Sequence, residues 1–345
     1  MKLTVVIPTY NEAENVPKLI PALRRALEGI DYELLFVDDD SPDGTWRIVE
    51  EEQRKDARVR LLRRVGRRGL GSAIVEGIRA ARGEFVVVMD ADFQHPPELV
   101  PLLLREAERG AEVVVASRYR QGGGVRGWSL ARRVISWGAS LLAYLLLGEA
   151  RKTSDPVSGF FLVKRGLNME GVEGRGYKVL LEILAANPGA KVAEVPYVFS
   201  PRAAGRSKLG ARDIADYALQ VIWLSRPLRF ALVGASGVLV NLGSMALLLS
   251  LGLPVDLASL TAIELSIAWN FSLHELWTFG SGFSRGVLRR YLGYHASVLA
   301  GALTQYLVMR LLYTLLSLNP LLGQLIGVFA GFLLNYALSR SLVWR

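Results

Sequence analysis

The sequence predicts an α/β domain with a mostly parallel sheet and helices on both faces, followed by an all-α domain of four transmembrane helices. Residues 3–117 alternate short β-rich runs with amphipathic segments of helix length, a pattern typical of a parallel sheet covered by helices. The charges divide the chain in the same way, since of its 32 acidic residues only Asp256, Glu264 and Glu275 lie beyond residue 226. The absence of cysteine and the apolar content of 51% exclude a disulfide scaffold and a disordered chain.

Five runs in the first domain are rich in branched and aromatic residues and predict strands, at residues 3–8, 32–37, 59–62, 85–89 and 113–116. Ligands of such sheets bind beyond the carboxyl ends of the strands. Three of the segments that follow these strands are acidic and polar, namely residues 8–12, 38–45 and 90–97. We therefore expect the chemistry of this domain at the edge where these three segments meet.

The predicted organisation is a first domain over residues 1–210, an interfacial helix or linker over 211–226 and a membrane domain over 227–345. Residues 129–147 place Arg132 and Arg133 ahead of an apolar stretch, which predicts a helix lying on the membrane surface. Residues 211–225 form a second candidate of this kind. An ordinary core helix is the alternative for both segments.

The membrane domain contains four apolar stretches, at about 229–251, 256–278, 291–317 and 320–343, each near the ~20 residues that a spanning helix needs. The turns near residues 252–256 and 318–322 carry no Lys or Arg, whereas arginines flank the opposite ends. The positive-inside rule then predicts a multi-pass protein with the first domain and the C-terminus in the cytosol. Glu264 lies near the middle of a predicted span, so we expect it to be paired or protonated.

The formal net charge is +9, which raises the question of a nucleic-acid partner. The chain has no long basic run and no basic helix face with stacking aromatic residues, and its arginines cluster near the membrane segments. Anionic lipid and anionic phosphate are therefore the predicted partners, and nucleic acid is not.

Two acidic motifs in the first domain indicate specific chemistry. Asp90 and Asp92 flank a single residue after an apolar strand, and a divalent cation, Mg²⁺ or Mn²⁺, would relieve their repulsion, with Gln94 as a further oxygen ligand. A solvated acidic loop is the alternative for an isolated Asp-x-Asp. In the run 38–40, Asp39 or else Asp38 is predicted to accept hydrogen bonds from a nucleobase or ribose, while residues 40–41 cap the next helix.

The segments at 8–12, 38–45, 69–71 and 90–97 together resemble glycosyltransferase family 2, whose members have the GT-A nucleotide-sugar fold. Segments 117–119, 155–161 and 176–182 narrow the resemblance to the dolichol-phosphate mannose synthase family, over the whole first domain. The four-helix tail resembles, more weakly, the membrane domain attached to some members. The resemblance implies a metal-dependent, inverting transfer of mannose from GDP-mannose to dolichyl or polyprenyl phosphate at the bilayer.

The resemblance also implies roles for individual residues. Nucleotide-sugar binding would fall to Pro8, Tyr10, Glu12, Asp39, Asp90, Ala91, Asp92 and Lys178, and the metal to Asp90, Asp92 and Gln94. The acceptor phosphate would be held by Arg118, Arg132 and Ser136. The catalytic set would be Asp92, Arg118, Arg132, Arg202 and Lys208, the last two from a loop that closes over the site.

Three alternative functions differ in sequence features. A processive polysaccharide synthase normally carries a Gln-x-x-Arg-Trp motif, which this sequence lacks. A polyprenyl-phosphate glucosyl- or aminoarabinosyltransferase would change only the donor and the lipid, and the segment at 155–160 favours mannose. A lipid-sugar flippase or scaffold would not need the intact Asp90 and Asp92 pair.

Overall fold

The computed structural model describes residues 1–200, 211–279 and 286–342, which divide between two compact units, Met1–Leu224 and Ser225–Arg345. The first unit is built on a seven-stranded sheet of order β3-β2-β1-β4-β7-β5-β8. Its strands are β1 (Leu3–Thr9), β2 (Tyr32–Asp38), β3 (Val59–Arg63), β4 (Phe85–Val88), β5 (Val113–Ser117), β7 (Phe161–Lys164) and β8 (Val192–Pro196). A separate parallel pair is formed by β6 (Gly124–Val125) and β9 (Val198–Phe199).

The fold class is as the sequence predicts, and each of the five predicted strands is present. The sheet is mostly parallel, but β7 runs antiparallel to both β4 and β5. Neither β7 nor β8 was among the predicted strands, since both lie beyond the alternating segment at 3–117 on which the prediction rested. The register pairs Thr9 with Asp38, so that the loops after β1 and β2 leave the sheet side by side.

Helices cover both faces of this sheet, namely α1 (Val16–Ala26), α2 (Thr45–Lys55), α3 (Leu70–Ala80), α4 (Val100–Glu108) and α6 (Val179–Ala186). Two further helices of this unit are α5 (Leu130–Leu146) and α7 (Ala211–Leu224). Successive side chains of a strand point to opposite faces. Thus Val5 of β1 is buried in one apolar cluster with α1 and α4, and Val6 in a second cluster with α3 and α6.

Helices α5 and α7 pack against each other and share a third, smaller apolar cluster. The outward side of α5 exposes large apolar residues, with Leu130 80% exposed and Trp137 64% exposed. Leu219 of α7 is 62% exposed. Exposed apolar faces of this size are typical of surfaces that meet a membrane or a partner, so they support the predicted bilayer contact of both helices.

The second unit contains four long helices within the described residues, at positions close to the four predicted stretches. They are α8 (Arg226–Ser250), α9 (Val255–Leu273), α10 (Val287–Leu316) and α11 (Pro320–Leu342), and a π-helical turn over His274–Thr278 follows α9. Two segments, Leu228–Ser250 and Val287–Leu316, are long and apolar enough to cross a membrane.

Glu264 of α9 is paired, as expected for a carboxyl group in an apolar helix. It accepts a hydrogen bond from the hydroxyl of Tyr291 at 2.6 Å, and its other oxygen lies 2.8 Å from Nε2 of His295. These partners both lie on α10, and their contacts favour a structural role for Glu264.

Helices α8 and α9 form one hairpin and α10 and α11 form another. In the first hairpin a Cβ at Gly237 would meet the side chain of Asn270 at 2.3 Å, and in the second a Cβ at Gly331 would meet the backbone oxygen of Gly301 at 2.5 Å. Small residues at these positions therefore allow the helices to approach closely.

Candidate active site

A cleft of about 310 Å³ lies at the carboxyl ends of β1, β2 and β4, where the sequence predicts the chemistry. It is lined by Pro8, Thr9, Tyr10, Glu12, Asp39, Leu70, Ala73, Asp90, Ala91 and Asp92. The structure therefore brings together all of the residues proposed for nucleotide-sugar binding except Lys178. The mostly polar loops meet here because parallel strands end at the same edge of the sheet.

The residues of the acidic run after β2 have roles that differ in part from the predicted ones. Asp38 is fully buried and accepts hydrogen bonds from the hydroxyls of Thr9 and Ser41, each at 2.8 Å, so it holds two loops together. The prediction that residues 40–41 cap α2 is wrong. The N-cap residue is Gly44, which has no side chain to accept a hydrogen bond, and the backbone N–H of Thr45 donates to the carboxylate of Asp43. The positive φ of 83° at Gly44 turns the chain into the helix at this point.

Asp39 is the member of that run that reaches the cleft. Its carboxylate forms an ion pair with Arg64 at 2.9 Å and accepts the backbone N–H of Gly69 at 2.8 Å. Burial raises the pKa of Asp39, while the Gly69 N–H and the Arg64 guanidinium act in the opposite direction. These contacts fix the carboxylate at the wall of the cleft, where a ribose or base can donate to it.

The loop after β4 is fixed by a buried histidine. Nδ1 of His95 accepts the backbone N–H of Asp90 at 2.9 Å, and its ring stacks on Phe160 at a centroid distance of 4.9 Å. Burial lowers the pKa of His95 to about 3 and so keeps the ring neutral. A neutral ring is required here, because Nδ1 can accept a hydrogen bond only when it carries no proton. His95 therefore shapes the loop of Asp90 and Asp92.

The two aspartates line one cleft, and their surroundings suit a hard divalent cation. The backbone N–H of Gln94 donates to Oδ1 of Asp92 at 3.1 Å, and the side-chain Nε2 of Gln94 donates to the carbonyl of Ser200 at 3.1 Å. That second bond orients the Gln94 amide, whose carbonyl oxygen is the atom suited to a metal. Within the described residues no group of three His, Cys, Asp or Glu side chains could hold a metal by itself. Two carboxylates with one amide fit Mg²⁺ or Mn²⁺, which complete their shells with water and diphosphate oxygens.

Arg118, proposed for the acceptor phosphate, has a partner that the sequence analysis did not assign. Its Nε and Nη2 donate to the two carboxylate oxygens of Asp155, each at 2.7 Å, and its backbone N–H donates to the same carboxylate at 3.0 Å. Asp155 is fully buried and Arg118 is 8% exposed, and the neighbouring carboxylate raises the pKa of the guanidinium against the effect of burial. Among the residues that the structure describes, this pairing leaves Nη1 of Arg118 for a further acceptor.

The remaining acceptor-site residues lie beside Arg118 at the start of α5. The ring of Trp128 lies 5.4 Å from the Arg118 guanidinium and 4.5 Å from that of Arg132. Ser136 accepts a hydrogen bond from the hydroxyl of Tyr119 at 2.8 Å. The three predicted residues, Arg118, Arg132 and Ser136, are thus joined by two aromatic side chains. Both aromatic residues were missed by the sequence analysis, although Tyr119 directly follows Arg118 in a motif it had noted.

Lys178 lies within electrostatic range of Asp90 in the cleft and of Arg118, Arg132 and Asp155. Desolvation, with a smaller contribution from Arg118, lowers the pKa of Lys178 to about 8, although its side chain keeps part of its exposure. Lys178 therefore keeps most of its positive charge at neutral pH. The other two predicted cations, Arg202 and Lys208, lie outside the described residues.

The fold and the cleft define a glycosyltransferase, and comparison with known proteins agrees. Residues 4–171 match the family model described as "Glycosyl transferase family 2", and residues 229–344 match "GtrA/DPMS, transmembrane domain". The dolichol-phosphate mannosyltransferase of Pyrococcus furiosus is 39% identical over 100% of this chain and 99% of its own length. That of Mycosarcoma maydis is 36% identical over 71% of this chain and 85% of its own.

The chain belongs to the dolichol-phosphate mannosyltransferase family, and it is a membrane protein. A solved glucosyl-3-phosphoglycerate synthase of Mycobacterium tuberculosis, in complex with Mn²⁺, uridine diphosphate and glucosyl-3-phosphoglycerate, is 23% identical, covers 65% of this chain and 78% of its own, and has a TM-score of 0.48. The assignment to the family rests on the full-length relative.

Proposed function

We propose that this enzyme transfers mannose from GDP-mannose to dolichyl or another polyprenyl phosphate, with inversion at the anomeric carbon. The observation that carries the proposal is the cleft containing Asp39, Asp90 and Asp92, with Arg118 and Arg132 in the same compact unit, in a chain similar to a dolichol-phosphate mannosyltransferase over its whole length. Loops from one sheet edge would bind the nucleotide and diphosphate. Arg118, which follows β5, and Arg132, in the first turn of α5, would bind the phosphate of a lipid.

The proposed donor site uses the cleft residues as the family resemblance assigns them. Pro8, Tyr10, Glu12 and Asp39 would contact the guanosine, while Asp90, Ala91 and Asp92 would lie against the diphosphate. Asp90, Asp92 and Gln94 would hold Mg²⁺ or Mn²⁺, and such a cation neutralises charge on the leaving diphosphate when it is bound.

The proposed mechanism needs no general base, because the attacking phosphate oxygen is already anionic. The chain's own task is to bring that oxygen to the face of the sugar opposite the leaving group and to offset the repulsion between two anions. Nη1 of Arg118, together with Arg132 and Ser136, would hold the acceptor phosphate, and Lys178 would contribute to binding the nucleotide sugar. Arg202 and Lys208 are proposed to add further positive charge. His95 stays neutral and acts only by holding the Asp90 loop.

The proposed location is a multi-pass membrane protein with its catalytic unit and C-terminus in the cytosol. Two helices of the second unit are long and apolar enough to span a bilayer, and the arginine pattern supports this orientation. The apolar outer faces of α5 and α7 would rest on the same cytosolic leaflet, which would bring Arg132 and Ser136 to the depth of a lipid phosphate.

The direct test supplies purified protein in detergent with Mg²⁺, a polyprenyl phosphate and either GDP-mannose or UDP-glucose, and identifies the lipid product by mass. We expect polyprenyl phosphate mannose and GDP from the first mixture and no product from the second. A glucosylated lipid would replace the proposed donor. The absence of any transfer, with the protein folded, would favour a flippase or scaffold role for the chain.

Removing the membrane unit should leave the chemistry intact. A chain ending at residue 225 keeps every residue that we assign to catalysis, and those that the structure describes lie in the compact unit Met1–Leu224. We expect it to transfer mannose to a short-chain polyprenyl phosphate in detergent at a rate within about tenfold of the full-length enzyme. Complete inactivity of a folded truncated protein would mean that the helices contribute to the site.

The pH dependence of donor binding should report Lys178. Its pKa of about 8 means that the ammonium group is lost as the pH rises through 8, so affinity for the anionic donor should fall there. Folding stability should change in the opposite direction, because a folded pKa below the unfolded value makes stability rise from pH 8 toward the unfolded pKa. Lys178→Met should abolish both pH dependences. Calorimetric titration with GDP-mannose and thermal unfolding between pH 7 and 10 would measure them, and unchanged profiles in Lys178→Met would contradict the assignment.

A further inference from the structure

Among the described side chains of the amphipathic helix α7, the amide of Gln220 is buried and faces inward. Gln220 is 5% exposed, whereas Leu219 beside it is 62% exposed and Trp223 is 42% exposed. A glutamine amide buried in this way must find partners or cost stability. One partner lies on α6, and the other is Lys178, the residue just before α6.

The amide nitrogen of Gln220 is bound at two points. Nε2 donates to Oε1 of Glu182 at 2.9 Å and to the backbone carbonyl of Lys178 at 3.2 Å. The other oxygen of Glu182 accepts the backbone N–H groups of Glu173 and Gly174, at 3.0 and 2.8 Å. The loop over residues 173–178 is therefore held at both ends by one network that begins on α7.

Close packing of glycines joins this loop to the wall of the cleft. A Cβ at Gly176 would meet Oε1 of Gln220 at 2.1 Å, so the amide lies directly against the loop backbone. On its other side the loop touches the first turn of α3, because a Cβ at Gly71 would meet the backbone oxygens of Gly176 and Gly174 at 2.0 and 2.6 Å. The residues flanking Gly71 in this turn include Leu70, which lines the cleft. Contact thus runs from Gln220 through the loop to the cleft without a gap.

We propose that Gln220 is a positioning residue: from α7 it holds the 173–178 loop against α3 and so fixes Lys178 beside the bound donor. The donor part of this inference rests on the proposed function. The two faces of helix α7 then have different roles. The outer face carries the exposed apolar residues, and the inner face, through Gln220, fixes the backbone at Lys178. Gln220 touches neither substrate.

The main test variant is Gln220→Met, which keeps the length and bulk of the side chain and removes both hydrogen bonds. Gly176→Ala is an independent second variant, because its methyl group must displace the Gln220 amide. The matched control is Tyr217→Phe, which removes another hydrogen bond of the same helix, from the Tyr217 hydroxyl to the carbonyl of Ala139 at 2.6 Å, on the side facing α5. All three are made in the full-length protein.

The first measurement is amide hydrogen exchange at Glu173 and Gly174 without any substrate. We expect exchange to be about 5–30-fold faster in Gln220→Met and Gly176→Ala, the factor that corresponds to losing one or two kcal/mol, and unchanged in Tyr217→Phe. Unchanged exchange in the first two variants would overturn the positioning role, whatever the donor is. An equal increase in Tyr217→Phe would overturn it as well, since general loosening of α7 would then explain the effect.

The second measurement is the dissociation constant of GDP-mannose together with the KM for polyprenyl phosphate. Gln220→Met should raise the dissociation constant of GDP-mannose by about the same 5–30-fold factor as the exchange rate, and it should leave the KM for polyprenyl phosphate unchanged. Faster exchange with unaltered donor binding would overturn the link to the donor site. If the wild-type protein does not bind GDP-mannose, the proposed donor fails, and the exchange result still decides the role of Gln220.

A charge-swapped pair separates the two bonds of Gln220. The double variant Gln220→Glu with Glu182→Gln can restore the bond between the two side chains, but it offers no donor to the carbonyl of Lys178. We expect it to recover thermal stability relative to Gln220→Glu alone while donor binding stays weak. Full recovery of donor binding would show that the bond to Lys178 plays no part, and would overturn the proposal.

Discussion

Replacing Asp92 with asparagine should reduce mannose transfer by about 10³-fold or more while leaving the protein folded. The side chain is 5% exposed, and its Oδ1 accepts the Gln94 N–H, a bond that the asparagine carbonyl can still accept. What the variant loses is the negative charge that would balance a divalent cation next to the diphosphate. Loss of such preorganised charge stabilisation commonly costs 10²–10³-fold for a single hydrogen-bond donor, and we expect more where a metal is lost with it.

The measurement combines steady-state transfer with titration of Mn²⁺ by electron paramagnetic resonance, which reports the metal without turnover. Glu98→Gln is the matched control, since Glu98 is exposed, lies six residues away in the same segment and is not part of the cleft. We expect the control to keep its activity and its Mn²⁺ binding. Near-normal transfer by Asp92→Asn in Mg²⁺ would show that the assignment of the metal to this pair is wrong.

The sheet and the cleft could be predicted because both follow from local patterns. Strand runs such as residues 85–88 are fully apolar, and acidic or polar segments follow three of them, so the edge at which they meet is set by parallel topology alone. The antiparallel β7 could not be predicted in this way, because its place between β4 and β5 depends on pairings formed across more than forty residues. The four helices of the membrane unit could also be predicted, since each lies close to one of the mostly apolar stretches of the sequence.

Partnerships between distant side chains were the part that the sequence could not reveal. Nothing in the sequence links Asp155 to Arg118 or Gln220 to Lys178, since the bond in each pair depends on how β5, α6 and α7 pack. The acidic run at 38–40 shows the same limit. Its composition indicates a functional loop, but only the three-dimensional contacts distinguish its members. Asp38 accepts hydrogen bonds from neighbouring side chains of the fold, whereas Asp39 lines the cleft.

The pairing with Asp155 changes what replacement of Arg118 should do. Removing the guanidinium leaves a fully buried carboxylate without its cation, and breaking a buried pair in this way costs about 3–5 kcal/mol of unfolding free energy. We therefore expect Arg118→Met to lower stability strongly as well as to lose activity. Arg120→Met is the matched control, because Arg120 is 52% exposed and its ion pair with Glu194, at 3.3 Å, should contribute only about 0–1 kcal/mol.

The double variant Arg118→Met with Asp155→Asn separates the two roles of Arg118. Replacing both charges removes the unpaired carboxylate, so most of the lost stability should return, while transfer should stay low because the Nη1 donor is still missing. Arg118→Lys keeps a charge but loses the planar fork that binds Asp155 on one side and leaves Nη1 on the other. We expect it to lower turnover and raise the KM for polyprenyl phosphate, with GDP-mannose affinity nearly unchanged.

The expected loss for Arg118→Met in the acceptor step is about 2–5 kcal/mol, the range for truncating one partner of a buried, hydrogen-bonded charge pair. Chemical denaturation measures the free energy of unfolding, and calorimetric titration with GDP-mannose measures donor affinity. Transfer assays at varied polyprenyl phosphate measure turnover and the KM for the acceptor. Recovery of transfer together with stability in the double variant would mean that Arg118 only supports the fold. Should GDP-mannose binding collapse in Arg118→Lys while the dependence on polyprenyl phosphate stays normal, Arg118 belongs to the donor site, and the acceptor phosphate must bind elsewhere.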